Sequence, residues 1–312
     1  MLGHCFNLVK YIIYKYTVFL EKKLILENDA NLEKNQSKAT DSVDFAFLDS
    51  GTGGIPYMLY LKEKCPEVKC VYLGDTINFP YGEKTSEQIC ACAKKACELL
   101  ISKFSPKAIV IACNTISVTA LGFLRNTFPK TPFVGTVPAI KLASSVSKNR
   151  RIGLLATNQS VNNLYTTKLI EDFAPDCYFA KLGEPKLIDF IEKSLFTATQ
   201  EEIKNAIMPS VNYFKSENVD TVILGCTHFL HLSKEIADCV GKDILVVDSR
   251  EGVANQALRV FKKHIFSNVE KCENKIDVKD KTFFVTSEKS SKHEYETLSK
   301  KLNLPYGGLL SN

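Results

Sequence analysis

Short unbroken runs of apolar residues recur along the chain, and each stops at a small or polar residue. The clearest are Phe45-Ala46-Phe47-Leu48, Cys70-Val71-Tyr72-Leu73, Ala108-Ile109-Val110-Ile111, Ile152-Gly153-Leu154-Leu155-Ala156 and Thr221-Val222-Ile223-Leu224. Apolar on both faces rather than alternating, they predict buried strands of a parallel sheet. Between them the period becomes helical. A helix is predicted from Pro56 to Lys64. Thr85 and Gln88 form a capping-box pair ahead of Ile89, Ala93, Ala96, Leu100 and Phe104, which share one helical face. Strand and helix therefore alternate as in a doubly wound fold.

The order of parts repeats. A second cycle opens at Arg151, continues through Cys177-Tyr178-Phe179-Ala180, Gly183-Glu184 and an amphipathic helix near Leu187 to Leu195, and ends in the strand before Cys226. The prediction is an α/β protein of two similar doubly wound lobes. After Val246-Val247-Asp248-Ser249 come a helix from Gly252 to Phe266, a polar connector and one more strand within Lys281 to Ser287, expected to return to the first lobe. The expected divisions are an extension at 1–42 with a flexible polar stretch, a first lobe at 43–138, a second at 139–247 and a C-terminal segment at 248–312.

Composition narrows the class. A chain of 312 residues, 45% hydrophobic and 24% charged, suits a globular protein with a substantial core. The net charge of +5 is dispersed, so no nucleic-acid partner is indicated. Lys10, Lys15, Lys22 and Lys23 interrupt the one apolar stretch near the start, which falls short of the ~20 residues that cross a bilayer. No small-residue cleavage site follows it, so neither a membrane span nor a secretory signal is expected. Eleven cysteines without regular spacing read as reduced thiols in a cytoplasmic protein. Cys90, Cys92 and Cys97 on one helix read as packing residues, since Cys90 and Cys92 face different ways and no fourth ligand lies near.

The chemistry gathers where strands end. Ala112-Cys113-Asn114-Thr115 and Gly225-Cys226-Thr227-His228 each place a cysteine and hydrogen-bonding side chains at the carboxyl end of a predicted parallel strand, where open α/β sheets bind ligands. A thiol with an unperturbed pKa of about 8.5 needs only a modest shift to take or give a proton. Two thiols facing one molecule suit removal of a proton from one face of a carbon and return to the other, in the cleft between the lobes. His228 could support Cys226, while His231 reads as structural. Asp49 and Glu184 could poise the thiols or orient an ammonium group. The Gly-rich Asp49-Ser50-Gly51-Thr52-Gly53-Gly54 reads equally as a tight turn or a carboxylate site. Backbone N–H groups after each cysteine could favour a developing anionic carbon. A thiol hydrolase using Cys226 with His228, leaving Cys113 as packing, is the rival from another class.

Taken together, Phe47-Leu48-Asp49-Ser50-Gly51 with Gly53-Gly54, Asp75-Thr76 with Pro80-Tyr81-Gly82-Glu83-Lys84, and the two cysteine motifs resemble the cofactor-independent aspartate/glutamate racemase family over residues 44 to 290. The resemblance implies racemisation of glutamate without cofactor or metal, supplying D-glutamate for peptidoglycan, by a homodimer. It implies Cys113 as the base acting on D-glutamate and Cys226 as the base acting on L-glutamate. Asp49 and His228 match auxiliary acid/base positions, and Glu184 is matched to a further assisting carboxylate. Ser50, Pro80, Tyr81, Gly82, Asn114, Thr115 and Thr227 fall, with Asp49 and His228, in the implied substrate pocket. Phe229-Leu230 departs from the family's aromatic-proline pair, and residues 1–42 have no counterpart in its compact members. Aspartate remains the alternative substrate, decided by pocket depth.

Overall fold

A computed structural model of the chain describes residues 43–264, 281–288 and 292–311. The first sheet is assembled from β1 (Phe45–Asp49), β2 (Cys70–Gly74), β3 (Ala108–Ile111) and β4 (Phe133–Gly135), with helices α1 (Ile55–Lys64), α2 (Ser86–Phe104) and α3 (Asn114–Thr127) between them. The chain then crosses through α4 (Ile140–Val146) into a second sheet of β5 (Arg151–Ala156), β6 (Tyr178–Gly183), β7 (Thr221–Leu224) and β8 (Leu245–Val247). The helices here are α5 (Asn158–Val161), α6 (Leu164–Phe173), α7 (Pro185–Lys193), α8 (Gln200–Ser216) and α9 (Ser233–Val240). Helix α10 (Arg250–His264) leads back, and β9 (Phe283–Val285), α11 (Lys292–Leu302) and β10 (Tyr306–Leu309) close the described chain.

All strand pairs are parallel, in the orders β10-β9-β2-β1-β3-β4 and β6-β5-β7-β8. The architecture is the two-sheet α/β fold that the apolar runs predict. Each run is continuous because both faces of its strand are covered. Phe45 and Phe47 of β1 pack with Tyr57, Met58 and Leu61 of α1, while Ala46 and Leu48 pack on the other side with Ile89, Ala93 and Leu100 of α2. In the second sheet, Ile152 and Leu154 face Ile140 and Ala143, whereas Leu155 and Leu224 face Ile191, Ile207 and Phe214. The capping box at Thr85 and Gln88 is formed.

Several elements lay below the sequence signal. Strands β4 and β10 are short edge strands, and β10 contains Gly307 and Gly308, so neither presents an apolar run. The strand read within Lys281 to Ser287 contracts to β9, which pairs with β2. The predicted end of the α10 helix at Phe266, the polar connector after it and the extension at 1–42 lie outside the described residues. No described helix is long and apolar enough to cross a membrane.

Candidate active site

Because every strand is parallel, the carboxyl ends of each sheet lie on one side, and those of β1, β3, β5 and β7 feed a cavity of about 450 Å³. Cys113 and Cys226 both line it, each 5% exposed, and each is the residue before a helical turn: α3 after Cys113, and the 3₁₀ turn Thr227–Leu232 after Cys226. Ser50, Pro80, Tyr81, Gly82, Asn114, Thr115, Thr227 and His228 line the same space. Sequence reasoning missed Phe79, Thr157, Asn158, Pro185, Lys186 and Ile188 on its wall. Asn114 Nδ2 donates to the carbonyl of Gly225 at 2.6 Å, joining the two cysteine-bearing strand ends directly. Thr115 Oγ1 lies 3.2 Å from Thr157 Oγ1. Asn114 Oδ1 is buried with no partner among the described residues, an acceptor suited to a ligand N–H group.

Asp49 does not line the cavity; it lies beneath it, fully buried. Its Oδ2 accepts from the Gly54 amide at 2.8 Å, from Tyr72 Oη at 3.3 Å and from Thr227 Oγ1 at 3.4 Å. Burial pushes its pKa up, opposed by the charge of His228 and by hydrogen bonds from the Ser50 amide and Cys113. Burial also drives the Cys113 thiol well above its usual range, and the Asp49 charge adds to this, against the Ile116 N–H. Cys113 is thus a thiol beside a carboxyl group.

Cys226 has a different companion. Its Sγ lies 3.8 Å from His228 Nδ1, while His228 Nε2 is 3.0 Å from Glu192 Oε2. Burial disfavours the imidazolium, but the hydrogen bonds to Cys226 and Glu192 outweigh it and hold His228 protonated well above the usual range. Here the structure corrects the sequence reading. Glu184, matched to the assisting carboxylate, is the residue that precedes α7 and is not among those lining the cavity. The carboxylate at His228 is Glu192, eight residues on in the same segment and 3% exposed. Its Oε2 also accepts from the amide and hydroxyl of Thr52, both at 2.8 Å.

The Gly-rich turn after β1 is shaped by this carboxylate and histidine. A Cβ at Gly51 would sit 2.4 Å from Glu192 Oε2, and one at Gly53 would sit 2.5 Å from His228 Nδ1. Only glycine allows that approach. His231 is structural: its Nε2 donates to the Thr52 carbonyl at 2.9 Å, and burial lowers its pKa to about 4. The loop carrying Pro80-Tyr81-Gly82 is fixed by buried Asp75, which accepts from Tyr81 Oη at 2.5 Å, Asn78 Nδ2 at 2.9 Å and Thr286 Oγ1 at 2.9 Å. Cys97 is in the core, with Cys90 and Cys92 partly buried against it. Among the described residues, no group of three or more His, Cys, Asp or Glu is arranged to hold a metal ion.

A family model described as Asp/Glu/Hydantoin racemase matches residues 60–257, a span that contains both thiols, His228 and Glu192. The chain belongs to the Asp/Glu/Hydantoin racemase family. It is 41% identical over 224 residues to the glutamate racemase of Treponema pallidum (strain Nichols), covering 72% of this chain and 83% of that protein. It is 39% identical over 238 residues to the glutamate racemase of Pasteurella multocida (strain Pm70), covering 76% and 82%. The crystal structure of Escherichia coli glutamate racemase in complex with L-glutamate and activator UDP-MurNAc-ala superposes with a TM-score of 0.73 at 27% identity, over 86% of this chain and 97% of that one.

Proposed function

We propose that the cleft interconverts L- and D-glutamate by two-thiol proton transfer at the α-carbon. The observation that carries this reading is that both buried thiols line one cavity, each with its own ionisable companion: Asp49 for Cys113, and His228 backed by Glu192 for Cys226. With L-glutamate, Cys226 as thiolate takes the α-proton, its charge matched by the imidazolium of His228. Cys113, kept as a thiol by burial and by Asp49, gives its proton to the opposite face of the carbon. D-glutamate then leaves with the two thiols in exchanged protonation states. The reverse turnover uses them in the opposite order. The amides that open the turns after each cysteine, with Asn114, Thr115 and Thr227, hold the carboxylates and favour the carbanion that develops.

The thiol hydrolase finds less support, because it gives no task to Cys113 and Asp49. In this reading residues 43–138 and 139–247 form the two lobes, with 248–312 completing the first. The enzyme works in the cytoplasm as a homodimer, and its D-glutamate supplies peptidoglycan. Circular dichroism of purified protein with L-glutamate, and separately with L-aspartate, and no added cofactor tests the substrate. Loss of optical activity is expected with glutamate. Loss confined to aspartate would overturn the assignment.

A further inference from the structure

The C-terminal helix α11 lies far along the chain from every motif that carries the chemistry, and yet two successive residues of its first turn hold α7 from behind. Glu294, 5% exposed, accepts from the Phe196 amide and, at 3.1 Å, from Thr197 Oγ1, just beyond α7. Tyr295, 3% exposed, donates from Oη to Glu192 Oε1 at 3.3 Å. Glu192 Oε2 is committed to Thr52 and His228, so the tyrosine engages the other oxygen and fixes the rotation of the carboxylate. The Tyr295 ring is set by Phe283 of β9, edge-on at 6.0 Å, and by Tyr306 of β10 at 6.2 Å. Phe196, held by Glu294, packs edge-on against His231 at 5.3 Å, and His231 donates to the same Thr52 whose amide binds Glu192.

We infer that Tyr295 is a positioning residue of the racemisation site, acting through Glu192 to orient His228 against Cys226. The inference rests on the two-thiol reading above. It explains why a C-terminal segment belonging to the first sheet ends up against a carboxylate of the second lobe. The titratable groups facing the Glu192–His228 pair are Asp49 and Tyr72 from the first sheet, Cys226 and His231 from the segment carrying His228, and Tyr295 itself. Of these, the phenol of Tyr295 can be removed without touching the thiols or the cavity wall.

The test is Tyr295→Phe, which keeps the ring contacts and deletes one hydroxyl. The expected result is a fall in kcat of about tenfold, the scale of one hydrogen bond to a charged group, with KM and thermal stability close to the parent. In a Glu192→Gln background the same change should have little further effect, because its route of action is gone. The His228 imidazole resonance, assigned by its loss in His228→Asn, should titrate at lower pH in Tyr295→Phe than in the parent. That measurement needs no turnover. If the parent does not racemise glutamate but His228 still titrates lower in Tyr295→Phe than in the parent, the substrate assignment fails and the positioning role stands. An unchanged titration and unchanged kcat, or full additivity with Glu192→Gln, would overturn the role of Tyr295.

Discussion

Glu192 and Glu184 lie eight residues apart in one segment, and their environments assign them opposite fates. Glu192 is buried among three hydrogen-bond donors and His228, whereas Glu184 is half-buried at the start of α7. Converting Glu192 to Gln removes the charge that holds the imidazolium and should lower kcat by about ten- to a hundredfold. Glu184→Gln should change kcat less than about twofold, as for surface substitutions away from such features. Steady-state kinetics on the two variants decides between them, and equal losses would return Glu184 to the mechanism. The signal for Glu192 was present in the sequence. It shares a helical face with Leu187, Ile188 and Ile191, and a carboxylate on an apolar face requires a partner. The resemblance pointed instead to Glu184, which follows Gly183 just ahead of the amphipathic helix. Cys113, Cys226 and His228 were legible because strand-end position and side-chain chemistry agreed. Asp49 was legible as a participant but not as a buried one, since nothing local shows that Thr227 closes over it.

At the scale of elements, strands buried on both faces announce themselves, and edge elements do not. The runs at β1, β3, β5 and β7 are apolar throughout because α-helices cover both sides. Strands β4 and β10 stand at the sheet edges and are three and four residues long, too short to carry a strong pattern. The loop from Thr76 to Glu83 illustrates a contact the sequence could not reveal. It is tied to the end of β9 by Thr76 Oγ1 donating to the Ser287 carbonyl at 2.7 Å and by the Ile77 amide donating to Thr286 Oγ1 at 3.0 Å, with Asp75 at the centre. These partners are more than two hundred residues apart, and no local rule links them. Asp75→Asn replaces one acceptor oxygen by an NH₂, which then faces either the Tyr81 and Asn78 donors at Oδ2 or the Thr286 hydroxyl at Oδ1. Loosening of the Pro80-Tyr81-Gly82 wall should raise KM for glutamate about tenfold, with a smaller change in kcat, a cost in the range for a mispaired buried group. A variant with parental KM and normal stability would show that the loop is held by other contacts.

The whole molecule brings two sheets together so that equivalent strand ends face one cavity, and the repeat visible in the sequence becomes a site with two sides. The sides are not chemically alike. Cys113 sits with a carboxyl group and Cys226 with an imidazole held in its protonated form, and the proposed reaction assigns one thiol as acid and the other as base. In the proposed mechanism each turnover uses different thiols for proton removal and proton delivery. Racemisation of L-glutamate in deuterium oxide, sampled early by proton NMR and chiral separation, tests this most directly. The account predicts deuterium at the α-carbon of the D-glutamate formed, with remaining L-glutamate carrying little. Comparable early labelling of product and recovered substrate would contradict it, since one base would then be serving both faces of the carbon.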